Sequence, residues 1–359
     1  MVGGMSETRG IQATDDDMAE AVREAVALLR AGEVVGLPTE TVYGLAADAL
    51  NPEAVAKVFS TKHRPAFDPL IVHIGSRTDL AWVAVVPDEI ADIVGQLADA
   101  FWPGPLSIIL PRHPDVPDLV TSGLPTVAVR QSAHPVFRAI NKALGRPIAA
   151  PSANRFGRIS PTSAAAVMEE LGGRIPLVVD SGACNQGLES TIIAIEPRVG
   201  KKPIFRLHRA GPVTKEDLQK FGKVERLKRT KPGDPAVPQA PGQLDAHYAP
   251  ATPLRLLENP GDFTPEAAKT YALLSYRGDK SSDYFDLCEW AAVESLSPGS
   301  GKLAEAAIRL FFAMRNLDHV GVDEIIAEPV SETGIGVAIM DRLRRASFGS
   351  GGSTDGGGA

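Results

Sequence analysis

The sequence predicts an α/β protein with two domains. Apolar strand-like runs alternate with stretches of helical periodicity up to about Gly211, and a second alternating stretch follows a segment rich in Pro, Gly and charge. A length of 359 residues also fits two domains. We place the first domain at 13–212, a linker without strand or helix at 213–251, the second domain at 252–347 and a disordered tail at 348–359.

The first helix and strand lead into a polar turn. Thr14 and the aspartates after it are typical of a helix start, because a hydroxyl caps backbone N–H groups and acids favour the positive end of the helix dipole. Apolar residues then recur at helical spacing from Val22 to Leu29, and Gly32 ends the helix. A short apolar strand precedes the turn PTETVYG (38–44), which we expect to join that strand to a helix.

The remaining elements follow from the same patterns. Continuous apolar runs predict strands at 69–74, 106–110, 126–130, 147–151, 176–180 and 190–196. Helical periodicity predicts helices at 53–60, 87–101, 134–145 and 162–172. In the second domain we expect strands near 253–257, 270–276 and 323–329, covered by helices near 302–316 and 335–346.

Composition and charge restrict the class of protein. Hydrophobic residues make up 44% and charged residues 23%, as in typical soluble globular proteins. The net charge of -7 argues against a chain that coats nucleic acid, although a local basic pocket remains possible. Cys184 and Cys288 fit neither a zinc spacing nor a disulfide framework, so we expect buried free thiols in a reducing compartment. Because the first ten residues lack an apolar signal core and no apolar run is about eighteen residues long, we predict a cytoplasmic protein without membrane contact.

Polar side chains cluster where the predicted strands and helices end. Lys62 and Arg64 lie at the end of the helix that begins near Pro52. Cations at this end of a helix stabilise its carbonyls in any protein. Because Pro65 and a turn follow Arg64, we expect its guanidinium to be directed outward, where its planar fork suits phosphate oxygens. Strand ends are also where open α/β sheets collect ligand groups.

Further strand ends repeat this pattern. His73 lies in an apolar strand and Arg130 ends another, although a histidine in a strand is more often a packing residue. Hydroxyl and amide groups follow the strand 147–151 at Ser152 and Asn154, where an ordinary turn is the structural alternative, and Ser190 adds a hydroxyl at the start of the strand 190–196. The hydroxyls of PTETVYG exceed what a capping turn needs, which favours a site for a small polar molecule.

Several common catalytic motifs are missing from the sequence. PGSGKLAE (298–305) lacks a Walker A glycine and has Leu303 in place of the magnesium-binding Ser or Thr, so we expect only a helix start there. GIGVAIMDR, from Gly334, lacks the third glycine of a dinucleotide fingerprint. There is no Cys–His pair, no GxSxG elbow and no metal-binding cluster. The pattern therefore favours catalysis by holding and neutralising reactants.

Taken together, these blocks resemble the threonylcarbamoyl-AMP synthase family, the YrdC fold family in its long two-domain form. The resemblance runs from about residue 13 to 347 and rests on an ordered set of pieces: PTETVYGL, the Lys-x-Arg of KHRP, PLIVHI, WPGPLSIIL, TVAVR, the Ser-x-Asn of PSAN, SPTSA, ESTII, PGQLDAHYAP and GVAIMDRLRRA. It implies a YrdC-like twisted, open, mixed sheet with helices, plus a smaller Rossmann-like α/β C-terminal domain.

The resemblance also implies a reaction. A nucleotidyltransferase of this family makes threonylcarbamoyl-AMP and pyrophosphate from L-threonine, bicarbonate or CO2, and ATP. The product serves threonylcarbamoyladenosine (t6A) formation next to the anticodon of tRNA, which a partner threonylcarbamoyl transferase completes, so weak tRNA contact is possible. Mg2+ is expected to be held mainly by ATP oxygens, because this ion keeps waters and takes few protein ligands.

The site residues are carried over by position. By resemblance, threonine is held by Thr41, His73, Arg130, Ser152 and Ser190. ATP is held by Lys62, Arg64, Asp68, Thr126, Ser152, Asn154, Thr162, Arg209 and Tyr248, with Lys62 and Arg64 as the catalytic pair. Tyr248 in the linker would reach back over the nucleotide, which would make the linker a lid.

Two positions depart from the family pattern. Asp68 replaces the asparagine that the family often has, and an acid beside a triphosphate repels it unless Arg64 or magnesium screens the charge. The stretch 244–246 lacks the basic residues that some relatives carry before HYAP, which puts a phosphate contact there in doubt.

Two other functions remain as alternatives. An RNA-binding module could use Lys62, Arg64 and Arg130, but the acidic total and the missing aromatic–basic face weaken that hypothesis. A carbamoyl-transfer enzyme of the wider fold family would typically carry zinc-finger and acylphosphatase-like regions, and the sequence has neither.

Overall fold

The computed structural model describes residues 7–14, 16–226, 240 and 247–350. The chain divides into two compact units. The first unit comprises Met1–Phe156 and Pro161–Gln243, and the second comprises Gly157–Ser160 and Leu244–Ala359.

The first unit is built on one mixed sheet, with eleven strands in the described part of the chain. In chain order the strands are β1 (Arg9–Gln12), β2 (Val35–Leu37), β3 (Gly44–Asp48), β4 (Ile71–His73), β5 (Leu106–Pro111), β6 (Thr126–Arg130), β7 (Ile148–Ala149), β8 (Leu177–Asp180), β9 (Thr191–Glu196), β10 (Ile204–Arg209) and β11 (Lys223–Arg226). Their order across the sheet is β1-β8-β2-β3-β7-β4-β6-β5-β9-β10-β11. The sheet contains both parallel and antiparallel pairs, which confirms the predicted mixed sheet.

Helices cover this sheet. They are α1 (Met18–Arg30), α2 (Pro52–Lys62), α3 (Asp88–Phe101), α4 (Asp118–Thr121), α5 (Pro135–Leu144), α6 (Ala164–Leu171) and α7 (Lys215–Gln219). Helices α1 and α5 pack on one face of the sheet through Leu29, Phe137 and Ile140. The opposite face packs against α2, α3 and α6 in the larger apolar core.

The face of the sheet that carries α5 also has a second, smaller apolar cluster. It consists of Ile71, Ile109, Ala128 and Ile192, and Ala240 from the predicted linker packs on it. Such a floor between polar strand ends is where an open α/β sheet binds ligands.

The second unit has a smaller parallel sheet. Its strands are β12 (Leu254–Leu256), β13 (Tyr271–Ser275), β14 (Ala292–Ser295) and β15 (Glu324–Ala327), in the order β12-β15-β13-β14. Helices α8 (Leu303–Asp318) and α9 (Gly336–Ser350) pack on it. A parallel sheet covered by helices agrees with the predicted Rossmann-like unit. PGSGK precedes the start of α8, as the expected helix start requires.

The structure corrects some predicted elements. PTETVYG joins the antiparallel strands β2 and β3 and does not join a strand to a helix. Strand β3 was missed because it is rich in Ala and lacks the β-branched residues that mark strands. The segment predicted as a linker begins with α7 and β11, which are polar on their exposed sides and gave no apolar pattern. Helix α9 continues to Ser350, past the predicted start of the tail, and 351–359 lie outside the described residues.

Helix α1 also starts later than predicted. It begins at Met18, and the Thr14 hydroxyl donates to the Asp17 carboxylate at 3.0 Å instead of accepting from the helix backbone. The strands β1, β10 and β14 were not predicted, since each is short or carries charged residues between its apolar ones.

Candidate active site

Strand ends form a row along one edge of the first unit's sheet. His73 ends β4 and Arg130 ends β6, and the two residues are paired in register on neighbouring parallel strands. Strand β5 is antiparallel to β6, so its start at Ser107 lies at this same edge. Strand β9 begins there after Ser190, and β10 returns to the edge at Arg209. The sheet thus brings together four residues of the predicted site that are distant in sequence.

The alternation of side chains directs this row to the face that carries the small apolar cluster. Because side chains two apart share a face, Arg130 points to the side of Ala128 in the apolar floor, and His73 to the side of Ile71. Thr126, half-buried at the start of β6, shares this face. Because a strand rises about 3.3 Å per residue, Thr126 lies about 13 Å from Arg130. That length suits two small molecules placed end to end.

Arg130 is held by the PTETVYG turn. Its Nη2 lies 2.7 Å from Glu40 Oε1, and its Nη1 donates to Thr41 Oγ1 at 3.1 Å. The Thr39 hydroxyl donates to the Val42 carbonyl at 2.6 Å, so it accepts the hydrogen bond from Thr41, 2.8 Å away. The hydroxyls of this turn therefore form one chain that ends on the guanidinium.

His73 is neutral in this environment. It is 3% exposed, and its ring packs on Phe137 with 4.9 Å between centroids. Burial, together with the Arg130 charge, holds the pKa of His73 well below its usual range, although a hydrogen bond to the Ile148 backbone opposes this. Its Nδ1 has no hydrogen-bond partner in the described part of the chain. The ring thus offers a buried nitrogen beside Arg130.

Lys62 connects the end of α2 to the loop after β7. Its Nζ donates to the Ser152 carbonyl at 2.5 Å and to the Asn154 carbonyl, and the residue is 1% exposed. Burial and the neighbouring Arg64 lower the pKa of Lys62 well below its usual value. His63 turns the chain with a left-handed backbone, which lets Lys62 and Arg64 both point inward.

Arg64 is buried, which corrects the expectation that its guanidinium is directed outward. Its Nε donates to the Asp68 carbonyl at 2.9 Å and its Nη2 to the Pro69 carbonyl at 2.7 Å. Nη2 is also 2.9 Å from Asp68 Oδ2. The turn after Pro65 folds back on the arginine, because a buried carboxylate and two carbonyls satisfy its donors.

Asp68 lies among three cations. Burial raises its pKa, and the charges of Arg64, Lys62 and Arg209 oppose that shift. Arg209 in turn donates from Nε and Nη2 to the carbonyl and hydroxyl of Ser190, both at 3.0 Å. The Ser190 hydroxyl is 2.8 Å from that of Ser107. Two arginines and one lysine thus surround one buried carboxylate, leaving positive charge for an anion.

The remaining predicted residues lie in several places. Thr162 is buried and its carbonyl accepts from the Cys184 N–H at 2.9 Å, while Asn154 Nδ2 donates to the Arg155 carbonyl at 2.7 Å. Tyr248 belongs to the second unit, where its ring packs against Phe311 with 5.6 Å between centroids. Its proposed contact with a nucleotide stays a prediction, and 244–246 lie outside the described residues.

Sequence reasoning missed three residues of this network. Glu40 was explained by helix capping, Ser107 lies within an apolar strand, and Ser132 follows Arg130 by two residues in an ordinary turn. A carboxylate within a predicted ligand-binding loop was the one signal that pointed to Glu40. The described residues contain no group of three or more His, Cys, Asp or Glu side chains placed to hold a metal ion. None of their helices is long and apolar enough to cross a membrane.

Two family models match the chain. A model for the Sua5, YciO and YrdC proteins, described as "Telomere recombination", matches residues 27–208. A model described as "Threonylcarbamoyl-AMP synthase, C-terminal domain" matches residues 213–347. Together they span both units.

Relatives and solved structures agree with these matches. The threonylcarbamoyl-AMP synthase of Pyrococcus abyssi is 38% identical over 91% of this chain and 94% of its own length. That of Bacillus subtilis is 38% identical over 91% of this chain and 93% of its own length. The solved structure of the P. abyssi Sua5 protein in complex with L-threonine superposes with a TM-score of 0.80 at 35% identity, covering 96% of this chain and 98% of that one. The predicted fold is thereby confirmed.

Proposed function

The chain belongs to the threonylcarbamoyl-AMP synthase family, and we propose that it makes threonylcarbamoyl-AMP and pyrophosphate from L-threonine, bicarbonate or CO2, and ATP. The observation that carries this proposal is the pairing of two polar clusters on one sheet. A neutral imidazole beside Arg130 suits an amino acid, and three cations around Asp68 suit phosphates.

The reaction needs little covalent help from the protein. The threonine amine captures CO2 as a carbamate and loses a proton. A carbamate oxygen then bonds to the α-phosphorus of ATP, the bond from that phosphorus to the bridging oxygen breaks, and pyrophosphate leaves. Because charge develops on phosphate oxygens, cations in fixed positions stabilise the transition state.

At the threonine end, Arg130 and Thr41 hold the substrate carboxylate. The unpartnered Nδ1 of His73 accepts from the substrate, and Ser152 and Ser190 complete this end. Since His73 is uncharged, it adds no positive charge that would attract phosphate to this end.

At the ATP end, Lys62, Arg64 and Arg209 neutralise the triphosphate, with Lys62 and Arg64 as the catalytic pair. Thr126, Asn154 and Thr162 contact the rest of the nucleotide. Asp68 stays paired with Arg64, which screens the acid that replaces the family's usual asparagine. Mg2+ would be held mainly by the oxygens of ATP and would supply further neutralisation of the phosphate charge.

The product needs a consumer, since threonylcarbamoyl-AMP hydrolyses in water. We place the enzyme in the cytoplasm beside a threonylcarbamoyl transferase that modifies tRNA next to the anticodon, with at most weak tRNA contact of its own. The two cysteines are free thiols, as a reducing compartment would leave them.

The test is threonine-dependent release of pyrophosphate from ATP in the presence of bicarbonate. We expect release by the wild type and loss of most of it in Arg64→Ala, because one charge-assisted hydrogen bond is worth about 1.5–3 kcal/mol. The matched control is Arg77→Ala, which removes an exposed arginine paired with Asp99. Folded wild-type protein that releases no pyrophosphate, or that only binds RNA in a salt-sensitive way, contradicts the proposal.

A further inference from the structure

Glu40 is fixed by contacts that use both of its carboxylate oxygens. Oε1 lies 2.7 Å from Arg130 Nη2, with side-chain exposures of 6% for Glu40 and 3% for Arg130. Oε2 accepts from the Ser132 hydroxyl at 2.5 Å. The Glu40 carbonyl also accepts from the Gln186 N–H at 2.9 Å, which anchors the main chain. The carboxylate is thus committed to protein groups.

These contacts hold the two terminal nitrogens of the Arg130 guanidinium. Nη2 forms an ion pair with Glu40 and Nη1 donates a hydrogen bond to Thr41, whereas neither Nε nor Nη2 has a hydrogen-bond partner in the described part of the chain. His73 Nδ1 is also without a partner there, and its strand position is in register with Arg130. A donor and an acceptor are therefore held beside each other, buried and unused by the protein.

We infer that Glu40 is a positioning residue for threonine, acting through Arg130 and touching neither substrate. This inference rests on the proposed function and deepens it. An arginine side chain has many rotamers, and holding it in one before the substrate arrives removes that ordering cost from binding. The carboxylate also balances the Arg130 charge, so the larger positive charge lies around Asp68, where the phosphates are proposed to bind.

The experiment compares Glu40→Gln and Ser132→Ala with the wild type. Threonine affinity is measured by calorimetry without ATP, and KM is measured separately for threonine and ATP. We expect Glu40→Gln to raise the Kd and KM for threonine about tenfold or more, because a neutral amide holds the guanidinium less firmly, with the KM for ATP within about twofold. Ser132→Ala removes the hydrogen bond to one oxygen of Glu40, and we expect it to raise the Kd and KM for threonine by a smaller factor. Glu33→Gln, at a partly exposed carboxylate paired with Lys57, is the matched control and changes neither the KM for threonine nor that for ATP.

A double-mutant cycle separates action through Arg130 from a general loss of structure. In an Arg130→Lys background, Glu40→Gln should add little further loss of threonine affinity. Additive effects, an equal rise in KM for both substrates, or unchanged threonine affinity in folded Glu40→Gln overturn the inference. If Glu40→Gln does not fold, Ser132→Ala decides by the same criteria. A wild type that binds no threonine overturns the proposed function itself, and this inference with it.

Discussion

Arg64 and Asp68 form a buried ion pair, with Nη2 and Oδ2 2.9 Å apart and side-chain exposures of 4% and 0%. The pair lies within the cation group that we propose to bind phosphates. Since Asp68 also interacts with Lys62 and Arg209, it lowers the positive charge that this group offers to ATP. The carboxylate therefore competes with the substrate for the same cations.

Replacing Asp68 with Asn should strengthen ATP binding. Asn keeps an oxygen for Arg64 but removes the negative charge, so we expect the KM for ATP to fall about three- to tenfold, or about 0.7–1.4 kcal/mol. The protein should lose about 1–3 kcal/mol of stability, because a buried guanidinium loses its counter-charge. Steady-state kinetics and thermal unfolding measure both effects, with exposed Asp99→Asn as control. A higher KM for ATP would mean that Asp68 holds Arg64 in its productive position.

Gly211 is needed for close approach of two backbones beside Ser190. A Cβ at this position would lie 2.5 Å from the Glu189 carbonyl oxygen and 2.6 Å from the Thr191 nitrogen. Gly211→Ala should therefore destabilise the protein by about 1–3 kcal/mol and lower threonine-dependent pyrophosphate release at least about tenfold.

The matched control for this substitution is Gly95→Ala in helix α3, where a Cβ meets no atom within 4 Å. Alanine favours a helix over glycine, so this variant should gain about 0.5–1 kcal/mol. Chemical denaturation of both variants gives the comparison. Equal stability of the two would show that the backbone near Ser190 yields easily.

Histidines that are buried or partly buried should make the fold sensitive to acid. Burial lowers the pKa of His208 to about 4, and it also lowers the pKa values of His73 and His134. The unfolded chain binds more protons between pH 4 and 6.5, so stability is complete above pH 6.5 and falls as pH drops through that window.

His208→Gln should reduce this loss. At pH 5 His208 lowers the free energy of unfolding by about 2 kcal/mol relative to neutral pH. Its removal should reduce the loss of stability between neutral pH and pH 5 by that amount. Urea unfolding between pH 5 and 8 measures the slope, with His319→Gln at an exposed histidine as control. A slope unchanged by His208→Gln would place the acid sensitivity elsewhere.

Cys184 should react slowly with thiol reagents. It is 5% exposed, and burial together with the Glu40 charge raises the pKa of its thiol to about 12. At pH 8 this lowers the thiolate fraction about a thousandfold relative to an ordinary cysteine. Alkylation followed by mass spectrometry should label the partly exposed Cys288 well before Cys184. In Cys288→Ser, rapid labelling of Cys184 in folded protein would contradict its burial.

Much of the fold could be read from local patterns. Strands β4, β5, β6, β8 and β9 and helices α2, α3, α5 and α6 were predicted close to their observed bounds, because an apolar run or a helical period is a property of neighbouring residues. Short or charged elements such as β11 and α7 gave no such signal. The antiparallel return of β3 was also missed, since strand pairing depends on partners far along the chain.

The candidate site divides in the same way. Residue types at strand ends identified His73, Arg130, Ser190 and Arg209, and the sheet brings these to one edge. The prediction that the Arg64 side chain is directed outward was wrong. The direction of this side chain depends on a turn that buries Asp68 against the guanidinium. Glu40 gave only the weak signal of a carboxylate within PTETVYG, and Ser132 gave none, because the contacts of Glu40 with Arg130 and with Ser132 form only in the folded chain.

The sequence by itself determined the alternation of strands and helices, the order of the polar blocks and, through them, the family. Only the tertiary structure decided which charges face each other: Glu40 holds Arg130, and Asp68 balances Arg64. The physical reason is that secondary structure follows from short-range periodicity, whereas a buried ion pair exists only after strand pairing has excluded water around both partners.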